Sequence, residues 1–172
     1  METKTLVLSG EVNDKMYKSV VGFLNQTEGD FEIEIDSGGG STRVAFMLYD
    51  RLKLHQGTIK CRMFEASSAA VIIVQACARR VAFTHSRMLL HYGTLTMSLP
   101  ENQLMRPSQV ERMLLETKKD MEAYDRIILT RGFKGDAEDL DRLYASDSSV
   151  FGAELLELGL VDELVDTVTA FK

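Results

Sequence analysis

The sequence predicts an α/β fold built around a largely parallel sheet. One sign is strict alternation of apolar and charged residues in "FEIEID", Phe31 to Asp36, which is typical of a strand. Another is helical spacing of the apolar residues in the segment that follows, "STRVAFMLYDRLKLH". Because strands that alternate with helices are joined by crossovers and run parallel, this half of the chain predicts βα units. With 172 residues, 45% of them hydrophobic, we expect residues 1–172 to form a single domain with a substantial core.

The elements up to Tyr92 follow the order β-α-β-α-β-α-β-β. The predicted strands are Lys4 to Leu8, Phe31 to Asp36, and residues 57–64, 79–83 and 87–92. The predicted helices lie within residues 13–26 and 41–55 and in the apolar run after Ser67. The segment "SGGGS" between the second strand and second helix predicts a glycine-rich turn.

The second half of the chain predicts mainly helix. An irregular segment, "GTLTMSLPENQLMRP", contains both prolines and precedes a long helix from about Ser108 to Arg131, closed by Gly132. At about 1.5 Å per residue this helix spans roughly 36 Å. Its apolar stripe is too long to be buried against one small sheet, so we expect part of it to contact a neighbouring chain. A short helix in residues 135–145 and a last helix and strand in residues 152–165 complete the chain.

Composition excludes several classes of protein. The net charge is −6 and no basic run carries interleaved aromatic residues, so we expect no nucleic-acid partner. No apolar stretch approaches the roughly 20 residues of a membrane span, and the N-terminus has no signal-peptide pattern. These features predict a soluble, cytoplasmic protein. The isolated Cys61 and Cys77 are interpreted as small buried hydrophobes without a disulfide framework, and the three histidines lack metal-ligand spacing, so we expect no metal and no cofactor.

Two adjacent serines precede the apolar run in "EASSAAVIIV", residues 65–74. A serine here is commonly a helix N-cap. It is also suited to be a nucleophile, since free N–H groups at a helix N-terminus favour developing negative charge. The stretch alone does not decide between the two.

The glycines of "SGGGST" do not match a Walker A loop or a GxGxxG motif. They allow close backbone approach and inward-pointing N–H groups, as in an oxyanion hole or a peptide-binding edge, or else they form a permissive turn. His91 follows an apolar strand and Asp147 lies in a polar loop before a helix; each alone is more often structural. Together, Ser67, His91, Asp147 and Gly39 supply the nucleophile, base, orienting group and N–H donor of acyl-transfer chemistry.

Three blocks carry a resemblance to a known family. They are "IDSGGGSTRVAFMLYDRL", "EASSAAVIIVQACARRVAFTHSRMLLH" and "DSSVFGAELLELGLVD", and the match runs through nearly the whole chain. The sequence resembles the ClpP family, the serine peptidases that form the proteolytic subunit of the Clp protease. The resemblance implies a ClpP/crotonase-like fold with a protruding handle helix, the handle region being about residues 93–132.

The resemblance also implies site residues. Ser67 corresponds to the nucleophile because it directly follows Ala66, as in the family. The other correspondences are His91 as general base, Asp147 as its orienter, the N–H groups of Gly39 and Ser68 as oxyanion hole, and Gly40 and Tyr92 as substrate-binding residues.

The family further implies polypeptide substrates and a homo-oligomer, a heptameric ring that stacks in pairs into a tetradecamer. It implies an AAA+ unfoldase partner, although the sequence shows no counterpart of the family's axial N-terminal segment. Glu65 stands where the family has a small apolar residue, and Ala145-Ser146 stands where it often has Asp-Arg. Two alternatives are an inactive ClpP-like ring subunit and another acyl-transfer enzyme of the crotonase fold.

Overall fold

The computed structural model describes residues 3–93 and 106–167 and confirms the α/β prediction. Within these residues a six-stranded sheet has the order β1-β2-β3-β4-β5, with β6 pairing with β4. The strands are β1 (Lys4–Val12), β2 (Phe31–Gly40), β3 (Ile59–Ser67), β4 (Arg79–Leu89), β5 (Ser149–Phe151) and β6 (Glu163–Val165). The helices are α1 (Asp14–Leu24), α2 (Thr42–Lys53), α3 (Ala70–Ala76), α4 (Pro107–Thr130), α5 (Ala137–Ser146) and α6 (Gly152–Glu157).

The first four strands pair in parallel, as the alternation of strands and helices predicts. Alternate residues of β2, beginning with Phe31, are buried on one face, whereas the glutamates between them lie on the other. All seven residues of α3 are buried, because this helix lies at the centre of the core. The parallel register brings the carboxyl ends of β2, β3 and β4 to one edge of the sheet, where sites gather in open α/β sheets.

Three details of the sheet differ from the sequence prediction. The predicted turn at the glycines is an extension of β2, since Gly39 and Gly40 pair with β1. The two predicted strands around Phe83 are one strand, β4, whose pairing with β3 is interrupted between Ala82 and Arg87. Strand β5 was not predicted; it pairs antiparallel with β4. Each difference depends on a neighbouring strand that local patterning does not reveal.

The predicted long helix is confirmed as α4, with 24 residues and Pro107 at its first position. Its apolar stripe divides into two parts: Tyr124 and Ile128 are buried in the core, whereas Leu114 is more than half exposed, as is the adjacent Leu115 outside the stripe. Residues 94–105, which belong to the predicted handle region, lie outside the described residues. No helix in the described ranges has both the length and the apolar character needed to cross a membrane.

A buried arginine fixes the C-terminal segment to the start of β4. Arg80 is only 3% exposed; it donates to Gln75 at 2.5 Å and to both carboxylate oxygens of Asp162, at 2.5 and 3.0 Å. Burial raises the pKa of Asp162, but the hydrogen bonds from Arg80 outweigh it and hold this pKa below its usual value. The ion pair therefore favours the charged carboxylate and anchors the chain ahead of β6.

The two cysteines form a disulfide, so the interpretation of two unpaired hydrophobes is wrong. Cys61 lies in β3 and Cys77 caps the end of α3, and their Cα atoms are 5.8 Å apart. The chain turns back after β3, so that α3 ends beside Cys61 although 16 positions separate the residues. This return of the chain is a tertiary feature, and cysteine spacing does not reveal it.

We expect reduction of this disulfide to destabilise the protein. A closed loop of this size contributes about 3 kcal/mol by restricting the unfolded chain. Urea denaturation with and without dithiothreitol measures the loss, and a Cys61→Ala/Cys77→Ala variant should be insensitive to the reductant. Two titratable thiols in the unfolded, unreduced protein would show that the bond does not form.

Candidate active site

Ser67 is the last residue of β3, so it is not the N-cap of the following helix, and the expectation of a serine at the helix N-terminus is wrong for this residue. Helix α3 begins at Ala70, and its N-cap is Ala69, which has no side-chain capping bond. Pairing with Leu89 extends β3 as far as Ser67. A short turn at Ser68 and Ala69 then separates the strand from the helix.

The turn after Ser67 has a strained backbone that several contacts hold. Ser68 has φ +53°, a left-handed conformation that is uncommon for residues other than glycine. Its N–H donates to the Leu89 carbonyl at 2.8 Å, and its own carbonyl accepts from the Val71 N–H at 3.1 Å and the Tyr124 hydroxyl at 3.2 Å. Burial raises the pKa of Tyr124, which keeps this hydroxyl protonated as a donor. The core helix α4 thus helps to fix the peptide beside Ser67.

Gly39 packs directly against the same turn. Its φ is +97°, and a Cβ at this position would lie 2.6 Å from the Ser67 carbonyl oxygen and 2.8 Å from the Ser68 Cβ. The Gly39 N–H donates to Ser37 Oγ at 3.2 Å, and that hydroxyl donates to the Gly10 carbonyl at 2.6 Å. Both N–H groups expected in the oxyanion hole, those of Gly39 and Ser68, are therefore bonded within the chain in this structure.

A cleft of about 390 Å³ opens beside the turn. It is lined by Gly38, Gly40, Thr42, Ser68, His91, Gly93, Thr117, Asp120 and Met121. Three residues of the predicted set, Gly40, Ser68 and His91, thus meet at one cavity. His91 is partly exposed and lies just beyond the end of β4.

Tyr92, the other predicted substrate-binding residue, contacts the helical side of the molecule. Its hydroxyl donates to Asp141 of α5, and its ring stacks edge-on against Tyr144 at 5.5 Å between centroids. The hydrogen bond to Asp141 is the main cause that raises the pKa of Tyr92. Its role toward substrate stays a prediction.

The three residues of the predicted triad are not hydrogen-bonded to one another. The Ser67 hydroxyl, in a residue 8% exposed, donates to Glu65 Oε1 at 3.4 Å. Asp147 is exposed and ends α5 in a left-handed conformation with φ +47°. Within residues 3–93 and 106–167, the side chains of His91 and Asp147 make no hydrogen bond. Their catalytic roles stay predictions.

The structure also contains a tyrosine–aspartate cluster between α4 and α5 that the sequence pattern does not predict. The Tyr144 hydroxyl donates to Asp125 at 2.6 Å, and the Tyr144 ring lies against Tyr124. Burial is the main cause that raises the pKa of Asp125, while the Tyr144 hydrogen bond opposes it. Apolar spacing along α4 places Tyr124 on the buried face of the helix, but it does not indicate where the Tyr124 hydroxyl points.

Comparison with known proteins identifies similar chains. The sequence model of a family described as Clp protease matches residues 1–168. The chain is 28% identical to the ATP-dependent Clp protease proteolytic subunit 4 of Rhodococcus jostii (strain RHA1), over 96% of this chain and 86% of that protein. It is 25% identical to the ATP-dependent Clp protease proteolytic subunit 1 of Bacillus cereus (strain ATCC 10987 / NRS 248), over 96% of this chain and 86% of that protein.

Among solved structures, the chain resembles a mutant of ClpP1 from Listeria monocytogenes. The TM-score is 0.76 at 19% identity, over 95% of this chain and 91% of that chain. The fold is thus the ClpP/crotonase-like fold that the sequence resemblance implied.

We expect Gly39→Ala to destabilise the protein by about 2–4 kcal/mol, because the new methyl meets backbone and the conformation is left-handed. Gly38→Ala is the matched control: a Cβ there has no atom within 4 Å, so a change under about 0.5 kcal/mol is expected. Chemical denaturation measures both. Equal effects at the two positions would contradict a specific contact between Gly39 and the Ser67 turn.

Proposed function

The chain belongs to the Clp protease family, and we propose that it is a serine endopeptidase that cleaves polypeptides inside a ring-shaped chamber. The observation that carries the proposal is the common cleft shared by the Ser68 turn, the glycines that end β2, and His91. The strand-end Ser67 stands next to this turn. A hydroxyl beside the turn, together with an imidazole and backbone N–H groups at the cleft, suits acyl transfer.

In the proposed reaction, Ser67 Oγ attacks the scissile carbonyl while His91 accepts the hydroxyl proton. His91 then passes the proton to the leaving amine, and water hydrolyses the acyl-enzyme by the same route. Asp147 orients the imidazole. The N–H groups of Gly39 and Ser68 stabilise the oxyanion, which requires them to exchange their present partners for the substrate oxygen.

A second candidate function is that of an inactive ring subunit. The observation that favours it is the lack of hydrogen bonds from Ser67 to His91 and from His91 to Asp147 among the described residues. The two candidates differ in whether Ser67 reacts, and this difference is measurable.

We expect Ser67→Ala to abolish peptide hydrolysis and labelling by a fluorophosphonate probe, because no other group then carries the acyl intermediate. Ser68→Ala is the matched control and should keep both, since Ser68 contributes only its backbone N–H. Active-site labelling followed by mass spectrometry of the modified peptide measures both. Absence of labelling in the unmodified protein would favour the inactive subunit. Labelling at Ser68 would show that Ser68, and not Ser67, is the nucleophile.

We expect the protein to assemble into a ring of seven subunits, alone or as two stacked rings. The exposed Leu114 and Leu115 on α4 provide apolar surface for contact with a neighbouring chain. An AAA+ unfoldase that delivers polypeptides belongs to the same proposal. Native mass spectrometry and light scattering measure the assembly, and a stable monomer at micromolar concentration would contradict it.

A further inference from the structure

We propose that Glu65 makes this site prefer polypeptides with a lysine or arginine next to the scissile bond. The inference rests on the proposed peptidase function and adds its substrate class. Glu65 precedes the nucleophile by two residues, and its Oε1 lies 3.4 Å from the Ser67 hydroxyl oxygen. Its side chain is 25% exposed, so its charge is partly withdrawn from solvent screening.

The two carboxylate oxygens of Glu65 have different surroundings. Oε2 accepts a hydrogen bond from Arg87 on β4 at 2.5 Å, whereas the long contact from Ser67 is the only one that Oε1 makes with residues 3–93 and 106–167. A carboxylate offers about four acceptor positions. Oε1 therefore keeps capacity for a donor from a substrate bound over Ser67, and an ammonium or guanidinium group is the strongest such donor.

Arg87 offsets the Glu65 charge only in part. Its side chain is 50% exposed, so water screens the guanidinium more than it screens the carboxylate. Two further acidic residues are relevant: Asp36 is the register partner of Glu65 on β2, and Asp120 of α4 lines the cleft beside the Ser68 turn. Among the cleft-lining side chains that the structure describes, Asp120 is the only one with a formal charge besides the titratable His91.

This arrangement favours a cation and opposes an anion at the scissile bond. A substrate glutamate would approach Glu65 and Asp120 and be repelled, whereas a lysine would be attracted by both. The small residues on one wall, Gly38, Gly40 and Thr42, leave space for a long side chain. A substrate with an uncharged leucine at this position should be cleaved with an efficiency between those of the lysine and glutamate substrates.

The test uses fluorogenic peptides that end in a coumarin amide and differ only in the last residue: lysine, leucine or glutamate. For the unmodified protein we expect kcat/KM to be about tenfold higher for the lysine than for the glutamate peptide. Glu65→Gln removes the carboxylate and leaves Arg87 unpaired, so the lysine-to-glutamate ratio should fall below one. Arg87→Gln removes the offsetting cation, so the ratio should rise above that of the unmodified protein.

In the double variant Glu65→Gln/Arg87→Gln, the lysine-to-glutamate ratio of kcat/KM should be only slightly above one, because Asp120 alone still favours the lysine peptide. A matched control is Glu34→Gln, which breaks a cross-strand pair with Arg62 of 2.6 Å, away from the cleft lining. It should leave the ratio as in the unmodified protein. Because the two single variants are expected to change the ratio in opposite directions, a general loss of stability cannot imitate the result.

Two results would overturn the inference. A ratio that stays the same in Glu65→Gln and Arg87→Gln, while leucine-peptide hydrolysis continues, would show that the pair does not determine substrate charge. A protein that neither hydrolyses any of the peptides nor reacts with the fluorophosphonate probe would overturn the proposed function as well.

Discussion

The contact between Gly39 and the turn after Ser67 is the constraint on which the geometry of the cleft depends. The ends of β2 and β3 approach so closely that a single added carbon would lie 2.6 Å from the Ser67 carbonyl oxygen. This approach is possible because glycine has no side chain and adopts a positive φ without strain. On the other side of the turn, the Tyr124 hydroxyl holds the Ser68 carbonyl. The strained peptide is thus fixed between a strand end and a core helix.

The same close packing determines which hydrogen bonds the proposed reaction would have to exchange. A buried N–H group without a partner costs about 1–3 kcal/mol, so the two N–H groups at the turn bond to Ser37 and Leu89. The Ser67 hydroxyl likewise has Glu65 as its partner. Binding a carbonyl exchanges one hydrogen bond for another, which is far less costly than breaking bonds without replacement. These contacts therefore keep the turn in place and are compatible with the proposed reaction.

Charge pairing across the parallel strands continues into this site. On the exposed face of the sheet, Glu32 and Glu34 of β2 pair with Lys60 and Arg62 of β3 at 2.6–3.2 Å. Glu65 and Arg87 form a similar pair between β3 and β4, at the edge where the strands end. This cross-strand ion pair thus places a partly buried carboxylate beside the Ser67 hydroxyl, the proposed nucleophile. What distinguishes this pair from the others is its position at the strand end, two residues before Ser67.

The sequence by itself determined the features that depend on local pattern: the alternation in β2, the apolar faces of α2 and α4, and the residue types around the cleft. Tertiary structure decided the rest. Strand β5 has three residues and forms because β4 offers an edge, and Cys61 meets Cys77 because the chain turns back along β3. The partners of the Ser67 and Tyr124 hydroxyls depend on rotamers and packing. Spacing along a chain states which residues share a face, but hydrogen bonds form between atoms that only folding brings within about 3 Å.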